Sequence, residues 1–262
     1  MKKLRKVFAV LAVVALAMSM LVGCSKKEQT DLEYVKEKGK LIVGITDFEP
    51  MDYEKDGQWI GFDADMAKAF AKSLGVDVEF IVIDWDNKVM ELDGKTIDCV
   101  WNGMTLNDEV KASISCSNAY CNNAQVVIVP KDKADQYQTA DACKNLKFAV
   151  EAGSAGKDVA AQNGYQYTEV KDQATALTEV IGKTSDAAII DSLMAGAMVG
   201  EGTGYAELTY TVGLSSEEYG VGFRKGSDLT EKLNEFFKTS YADGTLQKTA
   251  ETYGVQAALI KQ

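Results

Sequence analysis

Strand-like and helix-like segments alternate along this chain of 262 residues. A β-rich segment covers residues 40–45, an amphipathic helix is predicted over 63–74, and a second β-rich segment covers 76–83. Gly75 stands where the helix needs a C-terminal cap. A strand, a helix and a strand in such close succession predict parallel strands joined by a helix, which is the α/β class.

The same alternation recurs in the rest of the chain. Further strand-like segments cover residues 97–101, 125–129, 147–151, 187–190 and 219–224. Two sheets of this kind predict two lobes with a cleft between them. Because ligands of such sheets bind beyond the carboxyl ends of the strands, we expect the loops after 45, 101, 151 and 190 to face the cleft.

The N-terminus has the pattern of an export signal. Four basic residues lie within positions 2–6, an apolar run covers 7–20, and Leu21-Val22-Gly23-Cys24 closes it. The run is short for a membrane span and fits a cleaved signal peptide over 1–23. A resemblance to the bacterial lipobox implies a mature chain that carries lipid on Cys24, has a tether over 24–30, and is anchored to the outer face of the cytoplasmic membrane. A plain N-terminal anchor helix with an incidental cysteine is the alternative.

Composition excludes several classes of function. The whole chain has a net charge of −11, and removing the four basic and no acidic residues of 1–23 makes it −15, which argues against a nucleic-acid partner. The sequence has no histidine, which excludes Ser-His-Asp and Cys-His catalysis and His-ligated zinc. No pattern in it indicates a cofactor or a metal site.

Four cysteines remain besides the predicted lipid site: Cys99, Cys116, Cys121 and Cys143. No pair has the C-x-x-C spacing of zinc or redox sites. In an oxidising exterior they could form up to two disulfides, and Cys116 and Cys121 are the nearest in sequence. Buried free thiols are the alternative, and the sequence does not choose between them.

Six short motifs follow one another in a specific order: Gly61-Phe62-Asp63-Ala64-Asp65-Met66-Ala67, Asp84-Trp85-Asp86, Gly103-Met104-Thr105, Ser117-Asn118-Ala119-Tyr120, Ala152-Gly153-Ser154-Ala155-Gly156 and Ala242-Asp243-Gly244-Thr245. Over residues 38–254 the chain resembles the polar amino-acid substrate-binding proteins of ABC importers, solute-binding protein family 3 of the type 2 periplasmic-binding-protein superfamily. The resemblance implies a type II fold with two α/β lobes joined by a two-strand hinge. Lobe 1 is expected over 31–127 and 224–262, and lobe 2 over 128–223.

The resemblance also implies ligand-binding residues in the first lobe. Relatives have an apolar or aromatic wall in the first loop, which Phe48 matches, and an aromatic over the ligand, which Trp85 matches. Asn102, Gly103 and Thr105 match the segment that takes the ligand's α-ammonium and carboxylate in relatives. Core packing is the alternative for both aromatics, and an ordinary turn is the alternative for the glycine and threonine.

In the second lobe, the resemblance points to the start of a helix and to an acid. Ser154 and Ala155 lie in a glycine-rich segment before a predicted helix, where backbone N–H groups and the helix dipole favour a carboxylate. Asp191 matches the acid that pairs with the ligand's α-ammonium. A tight turn and a helix N-cap, respectively, are the alternatives.

One departure from the family pattern concerns the ligand. Relatives place an arginine five residues after the threonine to hold the α-carboxylate, and this chain has Val110 there, followed by Lys111. Lys111 is therefore a candidate ligand-binding residue, although a lysine cannot reproduce the planar fork of arginine. With Asp47 and Glu151 also expected near the cleft, the ligand is predicted to be an amino acid or close derivative, or else a cationic amine without a carboxylate.

The implied function is binding without chemistry. The chain is expected to close on a small polar solute as a monomer and to deliver it to the membrane permease of an ABC importer. The alternatives are a sensor that reports the ligand to a membrane partner, and a cleft dehydratase with Glu151 as general acid or base.

Overall fold

A computed structural model of the chain describes residues 29–262. The predicted signal peptide, Cys24 and most of the predicted tether lie outside the described residues. Over 29–262, every helix is too short or too polar to serve as a membrane span.

The strands, numbered in chain order, have these bounds: β1 Lys40–Ile45, β2 Tyr53–Lys55, β3 Gln58–Ile60, β4 Asp77–Val82, β5 Cys99–Thr105, β6 Ser115–Cys116, β7 Cys121–Asn123, β8 Gln125–Pro130, β9 Lys147–Glu151, β10 Gln166–Val170, β11 Ala187–Asp191, β12 Leu208–Gly213 and β13 Glu217–Phe223.

The α-helices have these bounds: α1 Asp31–Lys38, α2 Phe62–Leu74, α3 Lys88–Asp93, α4 Asp108–Ser113, α5 Ala155–Gln162, α6 Gln173–Ile181, α7 Ser192–Met198, α8 Leu229–Ala242 and α9 Thr245–Thr252. Short 3-10 helices cover Trp85–Asn87, Lys131–Gln136, Asp141–Cys143 and Gln256–Ala258.

The strands form two main sheets and a hairpin of β2 and β3. In the first sheet the order is β4-β1-β5-β13-β6, and β7 also pairs with β13; β1 is parallel to β4 and β5, whereas β13 is antiparallel to β5. In the second the order is β10-β9-β11-β8-β12, with β9 parallel to β10 and β11, and β8 antiparallel to β11 and β12. The α/β class with two sheets is therefore confirmed.

The chain passes between the sheets twice. Only Ala124 separates β7 of the first sheet from β8 of the second, and residues 214–216 separate β12 from β13. The first change of sheet, at Ala124, falls three residues before residue 127 of the predicted boundary at 127/128, and the second ends at 216, seven residues before residue 223 of the boundary at 223/224. The division into lobes stays a prediction.

The first sheet is longer at β5 than the sequence indicates. The sequence predicts a strand over 97–101 and then a loop. In the structure β5 continues to Thr105, because Met104 and Thr105 pair with Gly220 and Tyr219 of β13. The strands β10 and β12 were not predicted. Both are half-exposed; β10 is mostly polar, whereas β12 alternates apolar and polar residues.

Aromatic side chains fill the core between the first sheet and its helices. The ring of Trp101 on β5 packs edge-on against Phe237 of α8, with 5.5 Å between centroids, and Phe70 of α2 lies 6.3 Å from Trp101. As predicted, α2 ends at Gly75, whose left-handed backbone lets its N–H bond the carbonyls of Ala71 and Lys72. Burial of these rings fixes α2 and α8 on the sheet.

The four cysteines of the described residues are free thiols. Cys99, Cys121 and Cys143 are buried, and Cys116 is partly buried. The structure therefore agrees with the alternative of buried free thiols and not with disulfides, except that Cys116 is partly exposed.

Candidate ligand-binding site

A cavity of about 30 Å³ lies where strands of the two sheets end. Its walls come from the residues after β1, the end of β5, the residues after β9 and the end of β11. This arrangement agrees with the expectation that these strand ends share one cleft. The lining consists of Thr46, Phe48, Trp85, Lys88, Asn102, Gly103, Met104, Thr105, Asn107, Val110, Glu151, Gly153, Ser154, Ala155, Gln173 and Asp191.

Nine of the eleven predicted ligand-binding residues line this cavity: Phe48, Trp85, Asn102, Gly103, Thr105, Glu151, Ser154, Ala155 and Asp191. The other two, Asp47 and Lys111, are exposed and do not line it. Val110, at the position where relatives have arginine, does line the cavity. Whether these residues bind ligand stays a prediction.

Asn102 serves to hold the backbone in place. Its side-chain oxygen accepts hydrogen bonds from the N–H and hydroxyl of Thr46 at 2.9 and 2.8 Å, and its NH₂ donates to the Thr46 carbonyl at 3.0 Å and to Asp52 at 2.8 Å. The amide thus joins β5 to the loop after β1. Because its hydrogen-bonding capacity is used within the protein, Asn102 fixes the cavity wall rather than offering a free side chain to a ligand.

Gly103 has a backbone that only glycine adopts easily. Its φ is +57°, and a Cβ there would lie 2.6 Å from Cε1 of Phe48 and 3.1 Å from the ring of Tyr219. Its N–H donates to Oδ2 of Asp63 at 2.7 Å, and Tyr120 donates to the same oxygen at 2.6 Å. The absence of a side chain lets the aromatic wall approach the backbone of β5.

Two buried carboxyl groups support this wall. Burial raises the pKa of Asp63 to about 7, and burial together with the charge of Asp63 raises the pKa of Asp52 well above its usual range. One oxygen of each, Oδ1, is buried without a partner among the described residues. The pair therefore favours a protonated state, since two bare carboxylates in one dry site repel each other.

Asp191 lies in a dense hydrogen-bond network. Its Oδ1 accepts hydrogen bonds from Tyr219 at 2.6 Å, from Gln125 at 3.0 Å and from Asn123, and its Oδ2 accepts one from Gln173. Burial, followed by the charge of Glu217, raises the pKa of Asp191 to about 7. Asp191 occupies the N-cap position of α7, but its side chain makes no capping bond. Its carboxylate is directed instead to the junction between the sheets.

Glu151 is a second buried acid of the cavity. Its Oε1 has no hydrogen-bond partner among the described residues, and its Oε2 accepts a long bond of 3.5 Å from Gln173. Burial and the nearby charge of Asp191 raise the pKa of Glu151 to about 8. The group is therefore mostly neutral near pH 7 and can donate a proton in a hydrogen bond.

The side chain of Lys88 lies over the face of the Trp85 ring. The Lys88 ammonium lies 5.0 Å from the centroid of the Trp85 ring and donates to the carbonyls of Trp85 at 3.2 Å and Gly153 at 2.9 Å. Gly153 belongs to the loop after β9, so this lysine bridges the two halves of the cavity. The backbones approach closely here, because a Cβ on Gly153 would lie 2.6 Å from Cα of Asp86.

Ser154 is the N-cap of α5, where its hydroxyl accepts a hydrogen bond of 3.2 Å from the N–H of Lys157. Ala155 is the first residue of the helix. The positive end of the α5 dipole therefore lies at the cavity, as a carboxylate site requires.

Six lining residues were missed by the sequence analysis: Thr46, Lys88, Met104, Asn107, Gly153 and Gln173. Lys88 lies one helical turn after Trp85, and this spacing was the one signal that could have found it. Gln173 follows Asp172, the N-cap of α6, and sequence spacing does not connect it to Asp191. Tyr219 and Asn123 also hold Asp191 but do not line the cavity.

A family model for bacterial extracellular solute-binding proteins, family 3, matches residues 41–256. The chain belongs to this family. A curated family 3 relative, the L-cystine-binding protein TcyJ of Escherichia coli, is 31% identical over 246 residues, which cover 91% of this chain and 92% of that protein.

Two solved structures are similar along most of the chain. A substrate-binding protein of an ABC uptake transporter from Streptococcus pneumoniae, solved with bound histidine, has a TM-score of 0.79 and 29% identity, covering 87% of this chain and 98% of that one. An ancestral amino acid-binding protein described as a precursor of cyclohexadienyl dehydratase has a TM-score of 0.77 and 31% identity, covering 85% and 98%.

These comparisons confirm the recognised family and the type II periplasmic-binding-protein fold. They also support a solute-binding role, because these relatives are named as binding proteins. The dehydratase alternative has a counterpart in the descendant of the ancestral binder, and that binder is itself described as an amino acid-binding protein.

Proposed function

We propose that this family 3 protein is an extracytoplasmic receptor that binds an amino acid, or a solute resembling one, and delivers it to the permease of an ABC importer. The observation that carries the proposal is the meeting, in one cavity, of the Asp191 carboxylate with the start of α5 at Ser154 and the hydroxyl-bearing Thr105. An acid suits an α-ammonium, and a helix N-terminus suits a carboxylate.

The small size of the cavity supports a mechanism in which the two sheets open and close about a hinge. A volume of about 30 Å³ is far below the roughly 300–1,000 Å³ of pockets that hold small molecules, so an amino acid enters only if the two sheets separate. The two chain crossings at Ala124 and 214–216 are the places where such a rotation costs least, since few residues change conformation there. Ligand contacts with both halves would then stabilise the closed state.

Relatives support the ligand class. They are named for the binding of cystine, arginine and histidine, all of them amino acids. The proposed ligand-binding set is Phe48, Trp85, Gly103, Thr105, Ser154, Ala155 and Asp191, with Asn102 as a positioning residue. Replacement of Trp85 or Asp191 by Ala is expected to weaken binding.

A cationic amine without a carboxylate is the second candidate. The observation in its favour is that Val110 puts an apolar side chain in a cavity that also holds the acids Glu151 and Asp191. A carboxylate with no arginine beside it attracts a simple cation, although the Lys88 ammonium in the same cavity opposes that cation.

Export and anchoring belong to the same proposal. The sequence of residues 1–24 supports cleavage after Gly23 and lipid attachment to Cys24, which would hold the protein at the outer face of the membrane near a permease. Expression in a bacterial host tests this: the wild-type protein should fractionate with membranes, and a Cys24→Ala variant should not be lipid-labelled.

Thermal unfolding of the purified full chain tests the ligand class. The panel contains the common amino acids, their decarboxylated amines and betaines. A ligand at one hundred times its dissociation constant should add about 2.7 kcal/mol to the free energy of unfolding. Stabilisation by one or a few amino acids supports the proposal, stabilisation by amines alone supports the second candidate, and no stabilisation by either class contradicts both.

A further inference from the structure

Lys88 is a buried cation inside the cavity. Its side chain extends from the first residue of α3, and the residue is 8% exposed. Burial lowers the pKa of the ammonium, while the charges of Glu151 and Asp86 oppose that change. A lysine is rarely buried in this way unless something compensates its charge.

The hydrogen bonds of the ammonium leave capacity for a ligand. An ammonium has three donors, and in the described part of the chain Lys88 uses two of them, on the carbonyls of Trp85 and Gly153. No carboxylate of residues 29–262 forms an ion pair with it. The charge is thus held by neutral oxygen atoms and remains free for an anionic partner.

Lys88 is also the single basic side chain among the residues that line the cavity. Val110, on the neighbouring α4, contributes only an apolar surface, and Lys111 is exposed. A ligand carboxylate in this cavity therefore meets its cation at the start of α3 and not on α4.

Acidic groups alone would not discriminate between an amino acid and an amine. The Asp191 carboxylate attracts either ligand through its ammonium, and the neutral Glu151 beside it adds no charge that would distinguish them. The Lys88 ammonium repels a ligand that has only positive charge and attracts one that also has a carboxylate. The charges of the cavity therefore fit a zwitterion.

We propose that Lys88 binds the carboxylate of the ligand and makes the site select amino acids over the corresponding amines. This inference rests on the proposed amino-acid-binding function and adds to it the residue that takes the place of the missing arginine. The cation reaches the carboxylate as a single-point donor and not as a planar fork. The dry surroundings strengthen the contact, because little water competes for either charge.

Calorimetric titration with matched ligand pairs tests the proposal. Each amino acid that stabilises the full chain is compared with its own decarboxylated amine, for example arginine with agmatine or histidine with histamine. The variants are Lys88→Met, which keeps the length of the side chain, and Lys88→Arg, which keeps the charge. Lys232→Met, which removes an exposed lysine of α8, is the matched control.

The wild-type protein and the control should prefer the amino acid to the amine. Lys88→Met should bind the amino acid about ten- to hundredfold more weakly and lose most of that preference, whereas Lys88→Arg should keep the preference. The double variant Lys88→Met with Val110→Arg supplies a cation from α4 to the same cavity and should regain preference for the amino acid.

Unchanged affinity and preference in a folded Lys88→Met variant would overturn the inference and leave the proposed function intact. Equal binding of amine and amino acid by the wild-type protein would overturn it as well. Binding of neither ligand class by the wild-type protein would contradict the proposed function itself, so the two failures are distinguishable.

Discussion

The hydroxyl of Tyr219 donates a hydrogen bond of 2.6 Å to Oδ1 of Asp191, and both groups are buried. Tyr219 lies on β13 of the first sheet, and Asp191 ends β11 of the second. The bond therefore joins the two sheets directly beside the cavity. It also favours the charged form of Asp191 and so opposes the effect of burial on the pKa of that carboxyl.

Removal of this hydroxyl should destabilise the protein. We expect Tyr219→Phe to lower the free energy of unfolding by about 1–3 kcal/mol, because the buried Asp191 loses one of its hydrogen-bond partners. Urea unfolding at pH 7 measures the change. Tyr210→Phe is the control, since Tyr210 is 58% exposed. Equal stability of both variants and the wild type would contradict the structural role of the bond.

Gly103→Ala should disturb the cavity wall. The new Cβ would lie 2.6 Å from Phe48, and the residue would keep a positive φ, so we expect a loss of roughly 1–3 kcal/mol in the free energy of unfolding. Thermal unfolding measures it. Gly196→Ala within α7 is the matched control, because no atom lies within 4 Å of its added methyl group, and it should be neutral or stabilising. A Gly103→Ala variant with unchanged stability would contradict this prediction and show that the Phe48 ring can move aside at little cost.

Stability of the ligand-free protein should fall as the pH rises through the pKa of Glu151. Burial raises that pKa from 4.5 to about 8, so the folded state holds the proton more tightly than the unfolded chain does. The stabilisation is complete below pH 4.5 and is lost as the pH approaches and passes 8. Its slope is at most about 1.4 kcal/mol per pH unit.

Glu151→Gln tests this dependence, because the amide has the size of the neutral acid and does not titrate. Urea unfolding from pH 5 to pH 9 should show a shallower decline for this variant than for the wild type. Asp63 and Asp191 keep part of the slope, since burial raises the pKa of each to about 7. The control is Glu218→Gln, because Glu218 is exposed, and this variant should have the same dependence of stability on pH as the wild type. Parallel curves for Glu151→Gln and the wild type would contradict the prediction.

Arg224 should be among the residues on which stability depends most. Its Nε lies 3.0 Å from both oxygens of Asp31, its Nη2 lies 3.3 Å from Asp98, and its Nη1 donates to the Ile97 carbonyl at 2.7 Å. Replacement by Met leaves the buried Asp98 with one fewer cation, so we expect a loss of about 3–5 kcal/mol.

Denaturant unfolding compares Arg224→Met with Lys232→Met, which removes an exposed ion pair with Glu235. Water screens the exposed pair, so its loss should not measurably change the midpoint. Similar midpoints for the two variants would show that the Arg224 network adds nothing to stability.

Local patterns in the sequence were sufficient for most of the elements. The predicted helix at 63–74 is Phe62–Leu74, and the β-rich segments at 40–45 and 147–151 are β1 and β9 without any shift. These elements carry strong apolar periodicity and clear end signals, which depend only on neighbours in the chain. The half-exposed strand β10 lacks such a pattern, and pairing with β9 decides its structure; β12 has an alternating apolar and polar sequence that the prediction missed.

The residues of the candidate site also include some that the sequence predicted and some that only the structure revealed. Through the family resemblance, the order and spacing of the motifs identified Trp85, Gly103, Thr105, Ser154 and Asp191 as cleft residues, and all five line the cavity. The sequence also shows directly that position 110 is a valine and not an arginine.

Only the tertiary structure decided what surrounds those residues. Lys88 reaches across to the carbonyl of Gly153, 65 positions further along the chain, and Tyr219 reaches Asp191 across 28 positions. Such contacts depend on how two sheets meet and on which groups lose water there. A sequence specifies its strands and helices through neighbours in the chain, but burial and charge pairing depend on neighbours in space, which exist only once the whole chain has folded.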